Sequence, residues 1–310
     1  MIKKFLQKIF KKLSYFLFSK IYGKIEKSIK SDSDKRIKVT FANMEKDFRY
    51  KVYKITDGKL YTDRIHDTAV ILENKIIEGP SFQLRNNNNS PISNNVVFEK
   101  GTPRILKKLD GTVASLLTGG GGNSNYWHWI YDVLPRLKLC EQIKKLEEID
   151  YFILPSLEKK FQSETLDKLN ISRKKMLSSV KFRHLKASEL IVTDHPYVFT
   201  NNSHKDVQNI PEWIVKWLKE KEPNAIIWTL TNGSRTTSYL HELNELSHIN
   251  FSIHPEFIND RYINKLERFC EKVNLPCKIK IMYLPKYEEL ITQVYTRFNK
   301  KFKKILRVNR

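Results

Sequence analysis

The sequence predicts an α/β fold with a largely parallel sheet, and three observations carry that reading. After residue 112, short apolar runs that read as strands alternate with longer stretches of helical periodicity. Before that point, residues 35–100 hold only short β-prone runs separated by turn residues, so a strand-rich lead-in comes first. Between the two lies Gly119-Gly-Gly-Gly122, placed where a strand hands over to a helix. With 310 residues, 40% hydrophobic and 12% aromatic, the chain can bury a sizeable core and is long enough for two domains.

The first thirty residues differ from the rest. They carry nine lysines against one acid, Glu26, with Ile2, Phe5, Leu6, Ile9, Phe10, Leu13, Phe16, Leu17 and Ile21 at helical spacing. This is a basic amphipathic helix, suited either to the headgroup layer of an anionic leaflet or to packing on the protein itself. Lysines interrupt the apolar run and no small-residue cleavage site follows, so it is a poor secretory signal. No stretch is long and apolar enough to span a bilayer. The expected location is cytoplasmic, peripheral on the inner face of the membrane. Ser31-Asp-Ser-Asp34 is a polar linker that closes this first segment, residues 1–34. Its D-x-D pair is of the kind that holds a divalent metal on a nucleotide diphosphate, but it sits between a surface helix and a strand. No metal and no other cofactor is expected.

In the lead-in, Ile37–Phe41, Phe48–Ile55 and Ala69–Leu72 read as strands. Asp57-Gly58 and Glu73-Asn74-Lys75 supply turns between them, and Asn86–Asn89 is a polar loop tip. Val113–Leu117 is a buried strand, followed by the four glycines, which can bend sharply and bring backbone close to a ligand. Asn123 and Ser124 are helix-capping residues, and a helix starts at Asn125. Strand, glycine loop and helix N-terminus together form a shape that binds anions.

That helix concentrates chemistry. Asn125, His128 and Asp132 stand at i, i+3 and i+7 on one face, and Arg136 follows Pro135, which ends or kinks the helix. One short element therefore offers an amide, an imidazole, a carboxylate and a guanidinium beside a phosphate-friendly loop. The same pattern fits a buried, hydrogen-bonded polar pair on an aromatic-rich core helix.

Beyond it, Leu137–Ile149 reads as a helix, Tyr151–Leu154 as a strand, Phe161–Leu169 as a helix closed by the Asn170-Ile-Ser turn, and Val180–Phe182 and Glu189–Thr193 as strands. Pro211 opens a helix through Leu218, with Trp213 and Trp217 on one side. Arg261–Val273 reads as a basic helix, and the tail from Arg297 to Arg310 has no acid among its charges. Three cysteines (Cys140, Cys270, Cys277) are too few and scattered for a disulfide framework, which points to a reducing compartment. The net charge of +22 suggests an anionic partner, yet the excess of lysine runs through the whole chain. No nucleic-acid-binding motif accompanies it, so nucleic acid is not an expected partner.

Asn125-Tyr-Trp-His-Trp-Ile-Tyr-Asp-Val-Leu-Pro-Arg-Leu137 resembles the N-Y/F-x-H-W-x-x-D/E-x-L-P-R-L motif of the family 61 glycosyltransferases, which include capsular polysaccharide biosynthesis proteins. Lys75–Gln83 is similar to the family's lead-in, and the order of elements follows its first domain over roughly residues 50–222. The resemblance implies a Rossmann-like domain after the strand-rich lead-in (residues 35–222) and a second, shortened α/β half (residues 223–310), an architecture like that of the two-domain type B glycosyltransferases. It implies transfer of a sugar from a nucleotide-sugar donor to a glycan acceptor, with inversion, in surface or capsular polysaccharide synthesis. On that reading His128 or Asp132 is the base or the acceptor orienter, and Asn125 bonds sugar hydroxyls. Trp129, Gly121 and Gly122 line the substrate site, although the spacing of Tyr126, Trp129 and Val133 on a neighbouring face also fits a core stripe. Arg136 offsets phosphate charge or, alternatively, caps a helix end.

The C-terminal part departs from the family. Ile226–Thr231 fits a first strand, and Arg235 with Asn244-Glu245 is a loose echo of the donor half, but there is no H-G-A-x-L-x-N loop. After Gly122 the only glycine is Gly233. A phosphate loop needs a backbone approach that other residues obstruct. The alternative expectation is therefore a non-catalytic glycan-binding or scaffold protein that has lost its donor site.

Overall fold

The lead-in strands and the alternating strands join in a single mixed sheet. The computed structural model describes residues 2–44, 49–84, 91–196, 198–199, 208–209, 212–224, 226, 228–231, 248–272, 277–302 and 306–309. The polar tip Asn86–Asn89 lies outside the described residues, as do Gly233, Arg235 and Asn244-Glu245. The chain divides into two units, Met1–Ile210 and Pro211–Arg310, so the helix expected to close the first domain at 222 belongs to the second. Residues 1–34 fall within the first unit.

The first unit opens with helix α1 (Ile2–Tyr22). Eleven strands then build its sheet. They are β1 (Lys27–Ile29), β2 (Ile37–Ala42), β3 (Tyr50–Thr56), β4 (Lys59–Thr62), β5 (Asp67–Leu72), β6 (Lys75–Ile77), β7 (Phe82–Gln83), β8 (Lys107–Ser115), β9 (Tyr151–Leu154), β10 (Met176–Ser178) and β11 (His184–Thr193). The order is β1-β6-β5-β4-β11-β8-β9-β10; β3 also pairs with β11, β2 with β3, and β7 with β5. The block β11-β8-β9-β10 is parallel, as is β1 with β6, while the lead-in pairs are antiparallel. An α/β architecture is present, with its parallel part, the short β1–β6 pair apart, in the region after the lead-in. The core lies along this block, where Tyr53, Ile55, Val113, Ile153, Leu185 and Leu190 are almost completely buried.

Three sequence expectations give way to tertiary pairing. Asp57-Gly58 makes no hairpin. β3 and β4 both run antiparallel to β11, so they form one bent strand, with Asp57 at φ +58° in the bend. Asp57 N donates to Ser188 O, and Ala187 N donates to Gly58 O, each at 2.9 Å. At the same level β8 bulges between Leu109 and Thr112, where Gly111 takes φ +108° and a Cβ would meet Asp150 Oδ2 at 2.3 Å. The β8 bulge thus lies level with the Asp57 bend, across which the register with β11 stays unbroken. Val180–Phe182 is not a strand: the amides of Lys181 and Phe182 both donate to Ser178 O at 3.0 Å, which closes a turn after β10. The helix expected over 137–149 ends at Cys140, and residues 146–148 form a separate 3₁₀ turn.

The first unit also holds α2 (Val97–Lys100), α3 (Gly121–Ser124), α4 (Tyr126–His128), α5 (Pro135–Cys140), α6 (Lys160–Lys168) and a small hairpin, β12 (Val198–Phe199) with β13 (Gln208–Asn209). The second unit begins with α7 (Glu212–Lys221), whose Trp213 and Trp217 are buried. Its sheet, β14 (Trp228–Thr231), β15 (His248–Ile253), β16 (Cys277–Met282) and β17 (Leu306–Asn309), is wholly parallel in chain order. Helix α8 (Asp260–Lys272) links β15 to β16, and α9 (Glu288–Phe302) links β16 to β17. Phe251, Leu266, Phe269 and Phe298 pack its core, and Arg297 clamps Glu267 with contacts of 2.7 and 2.8 Å.

Candidate functional site

The expected single helix from Asn125 is three pieces. Asn125 caps the first: its Oδ1 accepts from Trp127 N at 2.9 Å and from His128 N at 3.4 Å. Residues Trp129–Val133 then form a π turn, with Leu134 N reaching back five residues to Trp129 O at 3.0 Å. The cause is Pro135, which has no N–H and crowds the carbonyl four residues before it, so the chain widens by one residue ahead of it. Pro135 then starts α5, where a missing N–H costs nothing.

This arrangement buries the middle of the motif and leaves its start near solvent. Asp132 is 0% exposed and Arg136 1%. The guanidinium donates through Nη2 to Asp132 Oδ1 (3.2 Å), through Nε to Asp132 O (3.0 Å) and through Nη1 to Thr193 O (3.2 Å). Nη2 also lies 2.9 Å from Nδ1 of His195. Nδ1 of His195 also lies 3.4 Å from Asp132 Oδ1, so the ring sits between the guanidinium and the carboxylate. Asp132 Oδ2 has no hydrogen-bond partner among the described residues and faces His128 Nδ1 at 3.9 Å, within ion-pair range. Burial pushes the Asp132 carboxyl up. His128, His195 and Arg136 beside it outweigh that and hold it well below the usual carboxylate range. A buried, ionised carboxylate facing Nδ1 favours the tautomer of His128 with its proton on Nδ1 and its lone pair on Nε2, the form that can accept a proton.

The glycines serve this imidazole. Gly119 takes φ +84°. A Cβ on Gly121 would stand 2.6 Å from Cδ2 and 2.8 Å from Nε2 of His128, so the ring lies flat against that backbone. A Cβ on Gly122 would meet Thr118 Oγ1 at 2.3 Å and Pro155 at 2.9 Å. The loop is fastened to the segment after β4. Gly120 N donates to Ile65 O (2.9 Å) and Asn123 Nδ2 to Arg64 O (3.0 Å), while Asp63 Oδ1 gathers the amides of Ile65, His66 and Asp67. From the other side Gln162 of α6 donates to Asn123 O at 3.1 Å.

The cluster lies at the carboxyl ends of neighbouring parallel strands, with Thr118–Gly122 after β8 and Asp194-His195 after β11. The chain moves from β8 outward to β9 and β10, then returns to the other side of β8 as β11. In open α/β sheets, ligand crevices lie beyond the carboxyl ends where strand order reverses in this way.

The predicted residues therefore divide. Of the predicted groups, His128, 25% exposed at its side chain, is both oriented and reachable, and the unpredicted His195, 23% exposed, faces the same carboxylate. Asp132 is brought beside it but sealed, so it could bear on a ligand only through the imidazole. Arg136 was expected to meet phosphate, but it is buried and spent on Asp132, Thr193 and His195. Trp129 was expected to line the site, but it is 0% exposed, with Nε1 donating to Thr165 Oγ1 at 2.8 Å. The helix widening turns Trp129 inward and leaves Tyr126, 57% exposed, and the half-buried Trp127 on the outside. Asn125 is exposed, but its carbonyl oxygen is committed to the cap. Gly121 and Gly122 are explained by close packing. Sequence reasoning missed His195; the Asp-His pair closing the apolar run of β11 was its only local signal. It also missed Arg64, at φ +76°, whose Nε donates to Ser179 Oγ at 3.2 Å beyond the end of β10. Among the described residues no group of three His, Cys, Asp or Glu side chains is arranged to hold a metal ion. No protein-family model, curated protein or solved structure matches the chain.

Proposed function

We propose that this chain is a glycosyltransferase that moves a sugar from a nucleotide-sugar donor to a glycan acceptor in surface or capsular polysaccharide synthesis, with inversion. The observation that carries the reading is the pairing of a reachable imidazole with a buried, ionised carboxylate at the strand-order reversal of a parallel block. In the reaction, His128 Nε2 takes the proton of the acceptor hydroxyl. The oxygen attacks the anomeric carbon, and the bond to the diphosphate breaks with its electron pair on the leaving oxygen. Asp132 fixes the tautomer that leaves Nε2 free and balances the charge the ring gains, and Arg136 holds Asp132 in place. Arg64, half-buried beside the glycine loop, is the cation assigned to the diphosphate, in place of Arg136. On this reading the motif-bearing unit resembles a Rossmann-like half-domain, and the second unit, taken by itself, is a shortened parallel α/β half.

The test is donor-dependent sugar transfer with purified protein. His128→Ala should abolish turnover, and Arg64→Ala should raise the apparent donor KM while leaving the fold intact. Undiminished transfer by His128→Ala removes His128 from the mechanism.

One observation favours a second reading, a non-catalytic glycan-binding protein: Gly233 is the only glycine after Gly122, so a glycine-built phosphate loop has little material in the second unit. Calorimetric titration with nucleotide sugars separates the two. Saturable binding at or below millimolar donor supports the transferase, and its absence supports the binding protein.

A further inference from the structure

Helix α1 docks by its less apolar side. Lys11 pairs with Glu99, Ser14 Oγ donates to Lys100 O at 3.1 Å, Tyr15 Oη donates to Ile25 O at 3.2 Å, and Tyr22 Oη accepts from Leu106 N at 3.1 Å. Tyr22 also stacks edge-on against His184, with ring centres 4.9 Å apart. These positions, with Phe18, repeat at three to four residues and fix the rotation of the helix about its axis. The opposite side is left outward: Leu6 is 58% exposed, Ile9 47%, Phe10 68%, Leu13 65%, Phe16 58% and Leu17 52%. A helix of a globular domain buries its apolar stripe. This one turns hydroxyls and a solvent-exposed ion pair toward the domain and leaves leucine and phenylalanine outward over three turns. Such a patch marks an interaction surface.

Charge identifies the occupant. Lys12 and Lys20 are exposed on the same helix, Lys20 lying over the Phe16 ring at 4.4 Å, and no acid precedes Glu26 in the sequence. Apolar side chains flanked by lysines that can lift their amines away from them suit the boundary between acyl chains and anionic headgroups. Among the described residues no helix is long and apolar enough to cross a membrane, so α1 would lie in the plane of the surface. We propose that the outward face of α1 docks the first unit on a bilayer containing anionic phospholipid. The contacts that hold α1 reach Leu106 and His184, at the amino ends of β8 and β11, while the His128–Asp132 pair stands at their carboxyl ends. The docked surface and the crevice therefore sit at opposite ends of the same two strands. The proposal is independent of any sugar-transfer activity.

Flotation of the full chain with vesicles is the test. The chain should float with vesicles containing phosphatidylglycerol, less so as salt rises, and stay down with phosphatidylcholine alone. Phe10→Glu with Leu13→Glu should cut the bound fraction at least about tenfold. The milder pair Phe10→Ser with Leu13→Ser should act in the same direction, and Lys12→Glu with Lys20→Glu should weaken binding at low salt. Phe257→Glu, at an equally exposed apolar residue of the second unit (71% exposed), should leave flotation unchanged. The proposal is overturned if the wild-type chain does not float with anionic vesicles, or if the two apolar-face pairs float as well as wild type. A lipid-free dimer that Phe10→Glu with Leu13→Glu dissolves would assign the face to a second copy of the chain and equally overturn it.

Discussion

Oδ2 of Asp132, an atom with no hydrogen bond among the described residues, faces Nδ1 of His128 at 3.9 Å from inside a fully buried pocket. The other carboxylate oxygen is tied down by Arg136, so the acid cannot swing away from the ring. Burial makes this orientation strong, because a charge that water does not reach is poorly screened. It also makes the acid indispensable to Arg136, whose guanidinium would otherwise be buried without a counter-charge.

Asp132→Asn tests both roles. An amide presents no charge to the imidazole and leaves Arg136 without its ion pair. Breaking one side of a buried pair typically costs about 3–5 kcal/mol. Removing the orienting acid of a comparable acid–histidine pair lowers turnover by roughly 10⁴-fold. The variant should therefore melt earlier and lose transfer together, whereas His128→Gln should lose transfer with melting nearly unchanged. Normal melting of Asp132→Asn in a thermal scan would contradict the buried pair.

Gly121→Ala isolates the imidazole from the loop. The added methyl would stand 2.6 Å from Cδ2 of His128, a contact that only movement of the ring can relieve. Gly121 has a negative φ, so the substitution carries no backbone strain of its own. The expected result is a sharp fall in turnover with about 1 kcal/mol or less of lost stability. Gly122→Ala should instead destabilise, because its methyl runs into Thr118 and Pro155 in the interior. Equal stability losses in the two variants, measured by urea denaturation, would remove this distinction.

Trp129 gives a third contrast. Its ring is wholly buried and its N–H is satisfied by Thr165. Trp129→Phe keeps most of the packing and should cost about 1–3 kcal/mol, through lost ring volume and an orphaned hydroxyl contact. Donor and acceptor KM should not move. A KM change with unaltered stability would put Trp129 back at the ligand.

The parts of this molecule that were legible in its sequence are those governed by local pattern. The α/β alternation, the lysine-rich amphipathic helix and the strand-to-glycine-to-helix hand-over all follow from spacing and capping residues within a short window. What was hidden depends on residues far apart. Asp57-Gly58 has the composition of a hairpin turn and becomes a bend within one run because β11, over a hundred residues later, pairs in unbroken register with both flanking segments. Arg136 looked available because arginine usually is; it is buried because Asp132 and Thr193 O satisfy it. His195 stands 63 residues from Asp132 in the chain, and no periodicity connects them. The π turn was half visible, since Pro135 announced a disturbance without fixing its form.

The last prediction concerns acid. His184 is 1% exposed; burial pushes its imidazole down to about 4 from an ordinary 6.5, against the bond between Nδ1 and Arg104 O (3.0 Å), which favours the charged form. In the unfolded chain the ring takes a proton near 6.5; in the folded chain it resists until about 4. Between those values the unfolded state binds more protons, so stability rises with pH across the window. The full contribution is present above pH 6.5 and is lost as pH falls toward 4, a change on the order of 3 kcal/mol from this one group. Because His184 packs against Tyr22 of α1 and against Tyr61, protonation should loosen that helix as well as the sheet. His184→Gln cannot titrate and can still donate to Arg104 O. Denaturant titrations at pH 7, 5.5 and 4.5 should show the wild type losing stability steadily and the variant changing much less. Parallel curves for the two proteins would mean that another group carries the acid sensitivity.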